Sequence, residues 1–227
     1  MSGHHHRISE WTGGDKLLEG ATYSGYTLIK RTFDIFGSLV GVFLFLIAYA
    51  VLVIVYRIGE NKGPILYKQK RLGVNGSFFY IYKFRSMKVD ADKILREDRV
   101  LYQRYVDNGY KLEASEDPRT TKVGKILRKT SIDELPQFIN VLKGDMSLVG
   151  PRPIIEEELE EYGEKKALFL SMKPGITGVW QTSGRSNIGY PERTYLELSY
   201  LEEQSVQKDL EVLLKTIVKV FINEGAY

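Results

Sequence analysis

Between Ile35 and Tyr56 this chain carries no charged residue, and that stretch restricts its fold more than any other. The segment reads IFGSLVGVFLFLIAYAVLVIVY and is apolar on every side. As a helix it is roughly 33 Å long, against a bilayer hydrocarbon core of about 30 Å. A buried helix of a soluble domain is usually shorter and amphipathic, so a membrane-embedded helix is the better reading. A signal peptide fits less well, because the run starts far from Met1 and no small-residue cleavage site follows it. Lys30 and Arg31 precede the segment, and Arg57, Lys62, Lys68, Lys70 and Arg71 follow it. Basic flanks on both sides give only a weak lean toward a cytosolic C-terminal part. They also suit a helix that enters and leaves by one face. No proline lies between Ile35 and Tyr56, and Gly37 and Gly41 suit close packing rather than a central kink.

Composition narrows the chemistry. The chain has no cysteine, and its three histidines are the consecutive His4, His5 and His6. Disulfides, thiolate nucleophiles, a Ser-His-Asp triad and a dispersed histidine metal site are therefore set aside. The net charge of +3 is too small to point to nucleic acid. Carboxylates, lysines, arginines and hydroxyls remain. Residues 1–29 are glycine-rich and read as a mobile tail. Residues 30–57 form the membrane-embedded helix and residues 58–227 a single further domain.

Two short strands are expected after the helix, Ile65–Tyr67 and Phe78–Phe84, with Asn75-Gly76 as the turn between them. Residues 89–111 read as a charged helix with Ile94, Leu101 and Tyr105 on its apolar face. The acidic run from Ile154 to Phe169 reads as a solvated helix. Residues 172–190 read as a long glycine-rich loop, in which Trp180 either stacks a nucleobase or fills the core. The C-terminal helix is basic and amphipathic, packed on the domain or lying in the membrane interface.

The densest stretch runs from Asp117 to Pro153. Leu135, Phe138, Ile139 and Leu142 recur at helical spacing, and Gly144 is a natural stop. Either Ser131 caps this helix, with Glu134 closing a capping box, or Asp133 is the cap. Pro136 favours Asp133, because it then falls in the first turn, where its missing N–H costs little. Asp133 and Glu134 stand among Lys122, Lys125, Arg128, Lys129 and Arg152. A carboxylate pair surrounded by cations suggests phosphoryl chemistry with a divalent metal between carboxylate and phosphate. As the bland alternative, the same pair is a helix cap and a first-turn charge.

The ordered motifs resemble the bacterial sugar transferase family, the monotopic polyprenol-phosphate phosphoglycosyl transferases. They are Lys30-Arg31-Thr32-Phe33-Asp34, Gly63-Pro64, Tyr82-Lys83-Phe84-Arg85-Ser86-Met87, Thr130-Ser131-Ile132-Asp133-Glu134-Leu135-Pro136-Gln137, Gly150-Pro151-Arg152-Pro153, and Lys173 to Gln181 with Ser183-Gly184-Arg185. The likeness covers residue 28 to the end. It implies an α/β fold, mostly helical and irregular, with one N-terminal re-entrant membrane helix, a small cytosolic catalytic domain and amphipathic interfacial helices. It implies transfer of a sugar 1-phosphate from a UDP-sugar to undecaprenyl phosphate with release of UMP, the first membrane step of capsule or exopolysaccharide assembly. By the same resemblance, Asp133 is the nucleophile that forms a phosphosugar intermediate, and Glu134 serves the metal or acid-base steps. Mg²⁺ is held by Asp133 and Glu134, and Lys83, Arg85, Arg128 and Arg152 hold phosphates. Gln181 and Arg185 face the nucleotide. The partners implied are the UDP-sugar, undecaprenyl phosphate, the bilayer of a bacterial cytoplasmic membrane and, as an option, a second copy of the chain; no nucleic acid is expected.

The sequence also departs from the family pattern. Where many members break the membrane helix with Ser-Pro, this chain has Leu46 and Ile47. Gln204 precedes Ser205 where a Trp is frequent, and Glu197 replaces a frequent Asp. Two other readings use the same residues: a membrane scaffold without catalysis, and a metal-dependent phosphodiesterase that yields its intermediate to water.

Overall fold

A computed structural model describes residues 20–108, 110, 112, 117–184 and 188–222. It is mostly helical with two small sheets. The helix α1 runs unbroken from Gly20 to Val55. Residues 20–29, expected in the tail, therefore belong to the helix; the His4–His6 patch lies outside the described residues. Among the described residues α1 is the one helix long and apolar enough to cross a membrane, over Gly25–Val55 with a mean hydropathy of 2.9.

From Lys30 to its C-terminal end, one face of α1 is fastened to the domain. Lys30 Nζ donates to Asp209 Oδ2 at 2.7 Å, and Arg31 donates to the carbonyls of Val141 and Leu142 at 2.7 and 2.9 Å. Asp34 Oδ1 accepts from Ser147 Oγ at 2.9 Å and Leu148 N at 2.8 Å. At Gly41 an added Cβ would lie 2.1 Å from the Phe138 ring, so only glycine lets the helix approach this closely. Phe45 stacks on Phe84 at 5.5 Å, and the Tyr56 hydroxyl donates to the Arg85 carbonyl. The opposite face, including Phe36, Val40, Phe43, Ile47, Val51 and Ile54, is exposed.

The strands β1 (Leu66–Leu72) and β2 (Phe78–Phe84) pair antiparallel, Leu66 opposite Phe84 and Leu72 opposite Phe78. Asn75, at φ 56°, turns the chain between them as expected. The charged segment that follows is two helices, α2 (Ala91–Glu97) and α3 (Arg99–Asp107), because the Asp98 carboxylate caps α3 through Val100 N and Leu101 N. Leu95, rather than Ile94, is buried there with Leu101. Next come α4 (Lys122–Lys129), capped by Thr121, and α5 (Gln137–Lys143), which Gly144 ends at φ 92°. The short strands β3 (Ser147–Val149) and β4 (Gly175–Thr177) pair in parallel.

Two stretches depart from expectation. The acidic run is mainly 3-10 helix over Glu157–Lys165, kinked at Gly163, followed by α6 (Lys166–Leu170). It is not wholly solvated: Glu158 is buried between Arg71 and Arg193, at 3.3 and 3.1 Å. The glycine-rich loop contains β4 and a short helix α7 (Val179–Ser183). Finally, α8 (Glu192–Glu202) and α9 (Val206–Ile222) close the main core around Val149, Ile154, Tyr162, Leu198 and Val212. On α9 the buried positions include Asp209 and Val212, while Leu210, Leu214, Ile217 and Val218 form an exposed apolar stripe.

Candidate active site

The Asp133-Glu134 pair sits on a 3-10 turn, Ile132–Glu134, between α4 and α5. Neither expected capping frame occurs. Ser131 occupies the left-handed region at φ 56° with no side-chain cap, and Pro136 holds the cap position of α5. The left-handed residue tightens the backbone into 3-10 geometry, so Asp133 stands at neither cap position and its carboxylate is not spent on helix N–H groups. Asp133 is buried at 7% exposure. Burial pushes its carboxyl up to about 6, opposed by the positive charges of Lys83, Arg128 and Arg152 and aided by the neighbouring Glu134.

Glu134 Oε1 accepts from Lys83 Nζ at 2.8 Å and lies 4.0 Å from an Arg152 guanidinium nitrogen. Lys83 comes from β2. Arg152 follows β3, and its backbone N–H donates to Glu197 Oε1 at 3.1 Å. Glu197 is itself bound by the Tyr162 hydroxyl and by Arg193. A tight backbone crossing sets the Arg152 loop: a Cβ on Gly175 would lie 2.1 Å from Gly150 N.

These groups border a cleft of about 250 Å³ lined by Lys83, Glu134, Arg152 and Gln181 together with Arg71, Gln137, Ile81, Pro153, Gly175 and Ile176. Four of the eight expected site residues therefore share one cleft, with Asp133 adjacent in the chain. Arg128 stands behind on α4, where its Nε donates to Ser86 Oγ at 3.0 Å. Arg85 is directed elsewhere, donating to the carbonyls of Pro64 and Met87 at 2.7 Å each and also to that of Asn61. It clamps the loop after α1 rather than lining the cleft. Arg185 lies outside the described residues. Trp180 fills the core at 2% exposure, with the Arg193 guanidinium 4.3 Å above its ring and its indole N–H on the Ile188 carbonyl, so it offers no open face for a base.

Arg71 and Gln137 are residues of the cleft that sequence reading missed. Gln137 could have been found, since it follows Glu134 by only three residues, at the start of the helix that the periodicity already marked. Arg71 could not, because its approach depends on the strand pairing.

The site's donor chemistry suits a hard divalent cation. Asp133 and Glu134 offer carboxylate oxygens only, and no group of three acidic, His or Cys side chains occurs among the described residues. Two carboxylates are oxygen donors of the kind Mg²⁺ takes, an ion that keeps several of its ligands outside the protein.

A family model described as bacterial sugar transferase matches residues 25–223. The chain is 42% identical, over 94% of its length, to the galactosyl transferase CpsE of Streptococcus agalactiae, covering 49% of that protein. It is 42% identical over 88% of its length to the undecaprenyl-phosphate galactose phosphotransferase of Salmonella typhimurium, covering 42% of it. Against the exopolysaccharide production protein ExoY of Rhizobium meliloti it is 37% identical, with 97% of this chain and 94% of the relative covered. The chain thus spans about half the length of the first two relatives and nearly all of the third.

Proposed function

The chain belongs to the bacterial sugar transferase family, and from that premise we propose that it is a phosphoglycosyl transferase, moving a sugar 1-phosphate from a UDP-sugar onto undecaprenyl phosphate. The observation that carries this reading is the buried Asp133 beside a Glu134 held by Lys83 and Arg152. In the first step an Asp133 oxygen attacks the phosphorus bearing the sugar. An O–P bond forms, the bond to UMP breaks, and UMP leaves with the electron pair. A phosphate oxygen of undecaprenyl phosphate then attacks the same phosphorus, forms a diphosphate-linked sugar and returns the carboxylate. Dividing the transfer keeps the two anionic substrates from having to meet at once. Lys83 and Arg152 stabilise the charge that spreads over the phosphoryl oxygens, while Glu134 orients them and takes part in proton transfer. When bound, Mg²⁺ on Asp133 and Glu134 would neutralise phosphate charge.

We further propose that both ends of α1 lie on the cytosolic face of a bacterial cytoplasmic membrane. From Tyr26, whose hydroxyl donates to Asp209 Oδ2 at 3.1 Å, to Tyr56 on Arg85, one domain holds the helix. That is about 45 Å of helix at 1.5 Å per residue. An upright span would draw a charged domain through the hydrocarbon, where each unpaired polar group is costly.

The test is UMP release by detergent-solubilised protein with Mg²⁺, undecaprenyl phosphate and a panel of UDP-sugars, beside Asp133→Asn. The expected result is UMP with sugar recovered on lipid, abolished by the substitution. Sugar phosphate recovered in water would mean a phosphodiesterase. Silence from folded protein across the panel would favour a scaffold, and release that persists in Asp133→Asn would remove the nucleophile assignment.

A further inference from the structure

Gln137 is 2% exposed, and its amide nitrogen has no hydrogen-bond partner among the described residues. Buried amides are rarely left so, because the group has given up its hydration for nothing. Arg71 Nε, on the same cleft, is likewise buried without a partner, although Glu158, Gln69 and the Pro153 carbonyl hold its other nitrogens. Two unspent donors therefore line a cleft that also holds Lys83 and Arg152. Such a wall suits a ligand rich in acceptor oxygens.

The backbone places Gln137 relative to the dyad. Leu135 N donates to the Ile132 carbonyl and Phe138 N to that of Leu135, both 3.1 Å, which are 3-10 bonds. These bonds carry the chain from the 3-10 turn straight into α5, so Gln137, the first residue of α5, lies three residues beyond Glu134 and borders the same cleft.

Resting on the proposed transfer reaction, we propose that Gln137 is a further substrate-contacting residue: its Nε2–H donates to a non-bridging oxygen of the phosphoryl group that Asp133 attacks, with the Arg71 Nε–H donating to the same diphosphate. An amide brings direction without net charge, so it aligns the phosphorus for attack while the cations supply most of the binding.

The test is Gln137→Met, which keeps the side chain's length and removes the donor. UMP release by the wild-type protein comes first, since its absence would defeat the transfer reading itself, whatever Gln137 does. Given that activity, kcat should fall about 100- to 1,000-fold, as expected for a lost transition-state donor, with KM changed less than about threefold. The substrate-free melting temperature should hold or rise, because a buried unpaired donor has gone. A kcat within twofold of wild type would overturn the proposal. So would a melting temperature lowered by several degrees, which would make the amide a structural prop.

Discussion

Asp133 is held against its own charge. A carboxyl lifted from 3.8 to about 6 by burial is a stronger base, and a better nucleophile, than one in water, yet it remains ionised at neutral pH. Turnover should therefore lose activity on the acid side, with kcat/KM falling tenfold per pH unit below about 6; a kcat/KM profile flat down to pH 5 would show that the ionised carboxylate is not needed. The same shift works against folding. A carboxyl whose folded value lies above its unfolded one stabilises below the unfolded value, and that stability is lost as pH rises through the folded one. Asp133→Asn, which cannot ionise, should therefore melt above the wild type at pH 7.5, by an amount on the order of 2–3 kcal/mol, and the gap should close near pH 4. Losing turnover while gaining stability marks a group kept for chemistry. In the sequence the Asp133-Glu134 pair drew notice as adjacent carboxylates amid cations, a pattern that fits a helix cap as well as phosphoryl chemistry, and its catalytic role came from the family resemblance. Its geometry was not legible. Both capping frames assumed an α-helical start, and the left-handed Ser131 that produces a 3-10 turn leaves no signature in residue type.

At the scale of elements, charge pattern misled where burial is decided by distant partners. Glu156 to Glu164 looks like a solvated face, and most of it is. Glu158 instead points inward, accepting from Arg71, Arg193, Ile155 N and the Tyr190 hydroxyl. Arg71 lies on β1 and Arg193 on α8, and no local pattern announces either of them. The segment thereby ties the outer wall of the cleft to the strand that carries Arg71. Glu158→Gln removes one charge facing two buried guanidinium groups. It should cost about 3–5 kcal/mol, the usual penalty for breaking a buried pair. Calorimetry in detergent should record this as a melting temperature lower by roughly 10 °C. Glu160→Gln, whose carboxylate is largely exposed and pairs with Lys166, should change the stability by less than about 1 kcal/mol. Equal effects would mean that the buried network contributes nothing beyond surface pairing. The hairpin was partly readable: Asn75-Gly76 is a local turn signal and the expected second strand matches β2 residue for residue, but the first strand, expected over Ile65–Tyr67, runs on to Leu72, because pairing with β2 carries the charged residues Lys68, Lys70 and Arg71 into the sheet.

For the whole molecule, the decisive relation is between α1 and the domain. The sequence announced an apolar helix of bilayer length, but hydropathy is blind to which side is occupied. One side is spoken for at Lys30, Asp34, Gly41, Phe45 and Tyr56, and the other presents only apolar side chains from Ile35 to Val55. A helix fastened at both ends to one charged body cannot put those ends in different compartments without unfastening. A second exposed apolar stripe lies on α9, at Leu210, Leu214, Ile217 and Val218. The absence of cysteine makes this directly measurable. Single cysteines at Leu28 and Ile58, 72% and 68% exposed, should both react with a membrane-impermeant maleimide from the cytosolic side alone. A cysteine at Phe43, midway along the exposed face, should resist the reagent until detergent is added. Labelling of Leu28 and Ile58 from opposite sides would establish a spanning helix, and the contacts of Lys30 and Tyr56 could not then both exist in the membrane. Labelling from one side would leave both ends of α1 beside the Asp133 cleft, on the face where the proposed transfer needs its water-soluble donor and its lipid-borne acceptor to meet.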